Sequence, residues 1–132
     1  MKVLIADGSM TLRNSLIRIV QSMPALKDVR EVDSFEHLDR VTKSDPPDLI
    51  LLDLFLPGGE GFSMLDKTLA ASRGSEVVVL LDSYDADLAQ MAKRRGAKAV
   101  FSKSDNLLAA MMSLNLENLK SSQSNNEERL RA

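Results

Sequence analysis

The stretch of sequence that decides the fold is DLILLDLFLPGGEG, which spans residues 48–61. Residues 49–52 form a continuous apolar run between the carboxyl side chains of Asp48 and Asp53. Unbroken apolar runs of this length are typical of strands that are covered on both faces, as in parallel sheets. Residues 57–61 then combine Pro and Gly, which predicts a loop soon after the strand.

Outward from this strand, short apolar runs alternate with segments of helical periodicity. The predicted strands cover residues 3–6, 29–32, 49–52, 77–81 and 99–101. The first predicted helix stops at Pro24, and the second begins at Asp33 or Ser34 and ends before Pro46. The third predicted helix ends near Gly74 and the fourth at Gly96. The fifth runs from Asn106 to about Lys120. Five strands alternating with five helices predict an α/β fold, with a parallel sheet covered by helices on both faces.

Length and composition narrow the class of protein. The chain has 132 residues, enough for one domain, which we expect over residues 1–120, with residues 121–132 as a polar tail or helix extension. A formal net charge of -2 argues against a nucleic-acid-binding protein. The absence of Cys excludes thiolate sites, and the single His37 leaves little for histidine-based catalysis. No apolar stretch has membrane length and no signal peptide is recognisable, so we expect a cytoplasmic protein.

Charged side chains follow the ends of several predicted strands. Asp7, Asp53, Asp82 and Lys103 each stand where a strand ends, and in a parallel sheet such positions meet at one edge. A single Asp at a strand end is more often a cap for the following loop or helix. Several carboxylates together with one ammonium favour a site for a hard cation and a phosphoryl group. A carboxylate in such a site can also act as a nucleophile and form an acyl phosphate.

The chain resembles the receiver domains of two-component response regulators over about residues 1–120. The most specific match is residues 48–58, which resemble the family's phosphoacceptor segment. Residues 3–7 resemble its first strand and acidic turn, Arg13 fits its first helix, and Gly96-Ala97 and residues 102–104 resemble its last turn and lysine segment. The resemblance implies a flavodoxin-like, doubly wound fold with strand order 2-1-3-4-5.

The resemblance also implies roles for individual residues. Asp53 would be the phosphoacceptor, and Lys103 would contact the phosphoryl group. Asp7, Asp53 and the backbone carbonyl of Phe55 would hold Mg²⁺. The implied partners are a histidine kinase or a phosphotransfer protein and a downstream protein, with no nucleic acid and no membrane.

The sequence departs from the family's pattern at several of these positions. The family usually has a second acid after the first strand, where this chain has Gly8, so we expect weak Mg²⁺ binding. Asp82 stands where the family has Ser or Thr, and Ser83 would take the hydroxyl role if the strand were shifted by one residue. The aromatic switch position matches Val100, and the Pro that usually follows the lysine is Ser104.

These departures leave two readings open. The first is a receiver that accepts a phosphoryl group on Asp53 and switches a protein-interaction surface. The second is a pseudo-receiver, with the same fold but a role in protein interaction that is independent of phosphorylation. We expect no dedicated enzyme: a dehalogenase-type phosphatase needs an Asp where Phe55 stands, and residues 8–11 only faintly resemble a flavodoxin phosphate loop.

The last predicted helix carries more apolar residues than one contact with the sheet requires. Leu107, Met111 and Leu114 form one stripe, and Leu108, Met112, Leu116 and Leu119 form a second beside it. Because one stripe is left for another partner, we expect an interface that involves Leu107, Met111, Met112 and Leu116, in a homodimer or a partner complex. No output domain is recognisable in these 132 residues, so we expect the output to pass through another protein or self-association.

Overall fold

The computed structural model describes residues 1–26 and 28–114 and has strictly alternating strands and helices. The strands are β1 Lys2–Ala6, β2 Asp28–Val32, β3 Leu49–Asp53, β4 Glu76–Leu81 and β5 Ala99–Ser102. The helices are α1 Met10–Gln21, α2 Phe35–Ser44, α3 Phe62–Ala71, α4 Ala86–Arg95 and α5 Leu107–Met112. All pairings are parallel and the strand order is β2-β1-β3-β4-β5, which confirms the predicted topology.

Strand β3 lies at the centre of the sheet and is buried along its whole length. Its alternate side chains enter two separate cores. Ile50 and Leu52 pack in a cluster with side chains of α2, α3 and α4, whereas Leu49 and Leu51 pack with side chains of α1 and α5. The continuous apolar run is therefore explained by helices on both faces of the sheet.

Short polar side chains begin four of the five helices. Ser9, Ser34, Asp85 and Asn106 each accept a hydrogen bond from a backbone N–H in the first turn of α1, α2, α4 and α5, respectively. Such caps satisfy N–H groups that have no partner inside the helix and stabilise it by about 1 kcal/mol. Gly96 ends α4 with a φ of 122°, a backbone conformation that favours glycine.

Three helices end earlier than the sequence predicts, and the last of them, α5, ends at Met112, where the predicted helix continues to about Lys120. Helix α1 stops at Gln21, where the hydroxyl of Ser22 donates to the carbonyl of Ile19, so Pro24 lies beyond the helix. Helix α3 stops at Ala71 and does not reach Gly74. No helix in the described part of the chain is long and apolar enough to cross a membrane.

Helix α5 separates its two apolar stripes as its periodicity requires, and this corrects the predicted interface. Leu107 and Met111 are buried in the core beside α1 and are not available to a partner, because their stripe faces the sheet. Leu108 and Met112 are 44% and 68% exposed. Leu116, Leu119 and the predicted tail over residues 121–132 lie outside the described residues.

Candidate functional site

Four charged side chains meet at the carboxyl edge of the sheet. Asp53 is the last residue of β3, and Asp7, Asp82 and Lys103 directly follow β1, β4 and β5. Lys103 Nζ lies 2.6 Å from Asp7 Oδ2, 3.1 Å from Asp53 Oδ2 and 3.4 Å from Asp82 Oδ1. The structure thus brings together the four residues that the strand ends predict.

These four side chains lie at different depths. Those of Asp7 and Asp53 are only 1% and 7% exposed, and that of Lys103 is 16% exposed. The side chain of Asp82 is 76% exposed, so it stands at the mouth of the site. The order from the interior to solvent is therefore two buried carboxylates, one ammonium and one exposed carboxylate.

The carboxyl group of Asp53 is held in place and electrostatically perturbed. Burial raises its pKa, while the hydrogen bond from the backbone N–H of Phe55 to Asp53 Oδ1, 2.9 Å long, and the nearby Lys103 oppose this shift. The charge of Asp7 adds to the rise. Because Oδ1 is fixed by Phe55, Oδ2 is the oxygen that meets Lys103.

Lys103 stays charged despite its partial burial. Burial on its own lowers the pKa of an ammonium, but the carboxylates of Asp7 and Asp53 outweigh it and raise the pKa of Lys103 above its usual value. Its backbone N–H donates to the carbonyl of Leu81, 2.7 Å away, so the residue continues the ladder between β4 and β5. The ammonium is therefore a permanent positive charge at a fixed place.

Asp7 is fixed by contacts on both its side chain and its backbone. The backbone N–H of Ser9 donates to Asp7 Oδ1 at 2.7 Å. Buried Arg13 donates from Nη1 to the backbone carbonyl of Asp7 at 2.7 Å and pairs through Nε with Glu31 at 3.1 Å. The spacing of the sequence contains a signal for this role, because Arg13 falls in the same helical stripe as buried Leu16 and Val20.

Hydroxyl groups hold the loop that carries Lys103. The buried hydroxyl of Ser102 lies 2.7 Å from the hydroxyl of Ser104 and 3.5 Å from the carbonyl oxygen of Asp82. The backbone N–H of Ser102 donates to the carboxylate of Asp105 at 3.1 Å. The residue that replaces the family's usual Pro, Ser104, therefore takes part in a local hydrogen-bond network. This role is not visible from the spacing of the sequence.

Gly8 lies against the loop that follows β3. A β-carbon placed on Gly8 would lie 2.9 Å from both Cδ and Cγ of Pro57. Such a contact is too close for a real side chain, and the ring of Pro57 cannot move without its backbone. The space beside the position of the missing acid is therefore occupied.

The remaining predicted residues differ from one another in their exposure to solvent. Phe55 exposes its ring to solvent. Ser83 is exposed, and its side chain makes no hydrogen bond within residues 1–26 and 28–114. Val100 is half-buried against the core that contains α2, α3 and α4.

The donor set fits Mg²⁺ with few protein ligands. Asp7 Oδ2 is buried and accepts no hydrogen bond of good geometry from the described residues, although the ammonium of Lys103 lies close to it. Mg²⁺ is commonly bound through one or two carboxylates and keeps several waters. Asp7 and Asp53 fit that pattern, whereas no group of three His, Asp or Glu in the described part of the chain is placed to share a metal.

The family assignment agrees with this geometry. The family model described as the response regulator receiver domain matches residues 3–112. The chain therefore belongs to the response regulator receiver domain family of two-component systems. Receiver domains in general bind Mg²⁺ at the acidic phosphorylation site, interact with histidine kinases, phosphotransfer proteins and downstream effectors, and are not dedicated enzymes.

The chain matches different shares of the length of its individual relatives. The nitrate/nitrite response regulator protein NarL of Escherichia coli is 33% identical over 95 residues, which are 72% of this chain but only 44% of that protein. Sporulation initiation phosphotransferase F of Bacillus subtilis is 29% identical over 102 residues, which are 77% of this chain and 81% of that one. The chain thus spans less than half the length of NarL but most of the phosphotransferase.

A solved structure shows the same fold. The CheY-like response regulator receiver domain protein of Methanospirillum hungatei superposes with a TM-score of 0.79 at 18% identity, over 94% of this chain and 97% of that one. At this identity the likeness concerns the fold alone.

Proposed function

We propose that this chain accepts a phosphoryl group on Asp53 from a histidine kinase or a phosphotransfer protein and thereby switches a protein-interaction surface. The observation that carries the proposal is the placement of Lys103 Nζ between Asp53 and Asp7 at the carboxyl edge of the sheet. Among the relatives, the sporulation initiation phosphotransferase F has a name that denotes phosphoryl transfer, and it is matched over most of its length.

In the proposed transfer, a carboxylate oxygen of Asp53 forms a bond to the phosphorus of a phosphohistidine. The bond between phosphorus and the imidazole nitrogen breaks, and its electron pair stays with the imidazole. Lys103 offsets the negative charge of the phosphoryl oxygens as a point charge. Asp7 and Asp53 would hold Mg²⁺, together with the backbone carbonyl of Phe55, and the metal would supply further positive charge beside those oxygens.

In the proposed switch, Asp82 and the phosphoryl group compete for the same positive charge on Lys103. It shares Lys103 with Asp53 before transfer, and it directly precedes the loop that ends in the cap of α4, Asp85. A phosphoryl group on Asp53 would compete with Asp82 for the ammonium and release the Asp82 loop. We propose that this change reaches the surface of α4 and α5, where Met91, Leu108 and Met112 are exposed to a second copy or to a downstream protein.

A pseudo-receiver remains the second candidate, and specific contacts favour it. The ammonium of Lys103 already lies within ion-pair distance of three carboxylates, and Asp82 has no hydrogen to donate to a phosphoryl oxygen when it is ionised. Pro57 fills the space next to Gly8. On this reading the ion pairs fix the loops permanently, and a partner binds without phosphorylation.

The two candidates differ in one measurable result. We expect wild type, incubated with phosphoramidate and Mg²⁺, to gain the mass of one phosphoryl group, and Asp53→Asn to gain none. Asp48→Asn is a matched control because Asp48 directly precedes β3, at the end of the strand opposite Asp53. Absence of any mass gain in wild type would favour the pseudo-receiver.

A further inference from the structure

The exposed position of Asp82 has a consequence for the molecules that reach Asp53. The side chain of Asp82 is the outermost of the four charged groups, and its Oδ1 lies 3.4 Å from Lys103 Nζ. The positive charges near the site are already paired with carboxylates. Lys103 lies within ion-pair distance of three of them, and Arg13 is paired with Glu31. Before a metal ion binds, three carboxylates and one ammonium leave the site with a net negative charge, and a Mg²⁺ held by Asp7 and Asp53 would offset their charges more directly than that of Asp82.

A phosphodonor approaches this site as an anion. Two like charges about 4 Å apart in water repel by about 1 kcal/mol, which corresponds to about a fivefold change in rate or affinity. The repulsion is proportional to the charge of the donor, so a dianion is penalised more than a monoanion. The carboxylates of Asp7 and Asp53 are buried behind Lys103, whereas the carboxylate of Asp82 touches the same ammonium but is 76% exposed to an approaching donor.

We infer that Asp82 is a specificity-determining residue that makes Asp53 discriminate between phosphodonors by their charge, disfavouring small dianionic donors. This inference rests on the proposed role of Asp53 as phosphoacceptor. Asp82 does not take part in bond making. It repels the approaching donor, and it partly neutralises the positive charge that Lys103 presents to the phosphoryl oxygens.

Two small donors of different charge make the inference testable. Acetyl phosphate is a dianion at neutral pH, and phosphoramidate is a monoanion. With either donor, an oxygen of Asp53 bonds to phosphorus. The bond from phosphorus to the acetate oxygen or to the protonated nitrogen breaks, and acetate or ammonia leaves with the electron pair. Only the charge and the leaving group differ, and the leaving group is the same for wild type and variant.

The experiment compares wild type with Asp82→Asn, which keeps the size of the side chain and removes its charge. We expect the phosphorylation rate of Asp82→Asn to rise about 25-fold with acetyl phosphate and only about fivefold with phosphoramidate, since the second factor is the square root of the first. Both gains should shrink between about 0.01 M and about 1 M salt, as the Debye length falls from about 30 Å to about 3 Å.

The control is Asp87→Asn, which removes the same charge from an exposed position in the first turn of α4. It should leave the ratio of the two rates unchanged. Equal gains with both donors in Asp82→Asn, or gains that resist salt, would overturn the inference and indicate that Asp82 acts only by holding Lys103.

The outcomes also separate this inference from the proposed function. If Asp53 is phosphorylated in both proteins and the ratio of rates does not change, the inference fails and the acceptor role stands. If neither protein is phosphorylated by either donor, both are contradicted. If only Asp82→Asn is phosphorylated, wild type behaves as a pseudo-receiver, which contradicts the proposed function, and the inference is overturned as well because wild type does not discriminate between the two donors.

Discussion

Pro57 packs its ring against Gly8 so closely that a β-carbon at position 8 would lie 2.9 Å from two of the ring carbons. The two residues belong to the loops that follow β1 and β3, which are the loops that adjoin Asp7 and Asp53. The position of the usual second acid is therefore closely packed against Pro57, so that restoring the acid would alter both the charge and the packing at this point.

Gly8→Asp is expected to tighten Mg²⁺ binding and to lower stability. The new carboxylate adds charge beside Asp7, and ligand charge sets affinity at such sites. Its β-carbon forces Pro57 to move, and overpacking of this kind costs about 1–3 kcal/mol. Calorimetric titration measures the first effect and urea unfolding the second. The control Gly8→Asn introduces the same crowding without the charge, and equal Mg²⁺ affinity in both variants would rule out a contribution from the added charge.

The sequence predicted those features that depend on periodicity and local spacing. The run over residues 49–52 predicts the central strand because its alternate side chains enter two cores. Of the two residues predicted to begin α2, Ser34 caps it through its side-chain hydroxyl, and Gly96 ends α4 through its backbone conformation. Contacts between loops distant in sequence were not predictable. The packing of Pro57 on Gly8 is one such contact. The hydrogen bond from Arg13 to the backbone carbonyl of Asp7 likewise depends on how the segments that carry the two residues approach one another.

Replacing Lys103 by Met should cost more stability than the loss of an ordinary surface ion pair. Asp7 and Asp53 are buried and would both lose their nearby cation, and an uncompensated buried charge costs about 3–5 kcal/mol. Adding Asp53→Asn removes one of these charges and should recover part of the loss in urea unfolding. Lys43→Met breaks an exposed pair with Asp39 and should cost about 0.5 kcal/mol. Equal losses at the two lysines would contradict the account.

The raised pKa of Asp53 predicts a pH-dependent stability. Burial disfavours the ionised carboxylate, so the contribution of Asp53 is fully present below the ordinary Asp pKa and is lost as the pH rises through the raised value. Because the side chain of Asp53→Asn cannot ionise, the free energy of unfolding of this variant should rise relative to that of wild type across this pH window. The two free energies should converge in acid. Urea unfolding at a series of pH values measures the difference in stability between the two proteins. A difference that does not vary with pH would exclude burial of the charge as its cause.

Arg13→Lys should loosen the Asp7 loop although it preserves the charge. Lysine cannot contact the carbonyl of Asp7 and the carboxylate of Glu31 with one rigid group, and the loss should cost about 1–3 kcal/mol. Amide hydrogen exchange at Ser9, whose N–H donates to Asp7, should become faster. Glu31→Gln leaves the contact with Asp7 in place and should change that exchange less. Unaltered exchange at Ser9 in Arg13→Lys would show that Arg13 does not hold the loop.

Met112→Glu is expected to weaken self-association through the exposed stripe of α5. Met112 is among the most exposed apolar side chains of the described residues, and a charge there disfavours burial in an interface. Light scattering over a concentration series compares this variant with wild type and with Met10→Glu, which is similarly exposed on α1. A wild type that stays monomeric throughout would exclude a homodimer and leave a different protein as the partner of this stripe.

The central claim is that Asp53 carries the phosphoryl group, and chemical trapping of the acyl phosphate tests it most directly. Wild type is treated with phosphoramidate and Mg²⁺ and then with borohydride, which reduces an aspartyl phosphate to homoserine, and the peptides are sequenced by mass spectrometry. The account predicts homoserine at position 53 and no conversion of Asp7 or Asp82. Conversion at either of those two positions, or none at position 53, would contradict it.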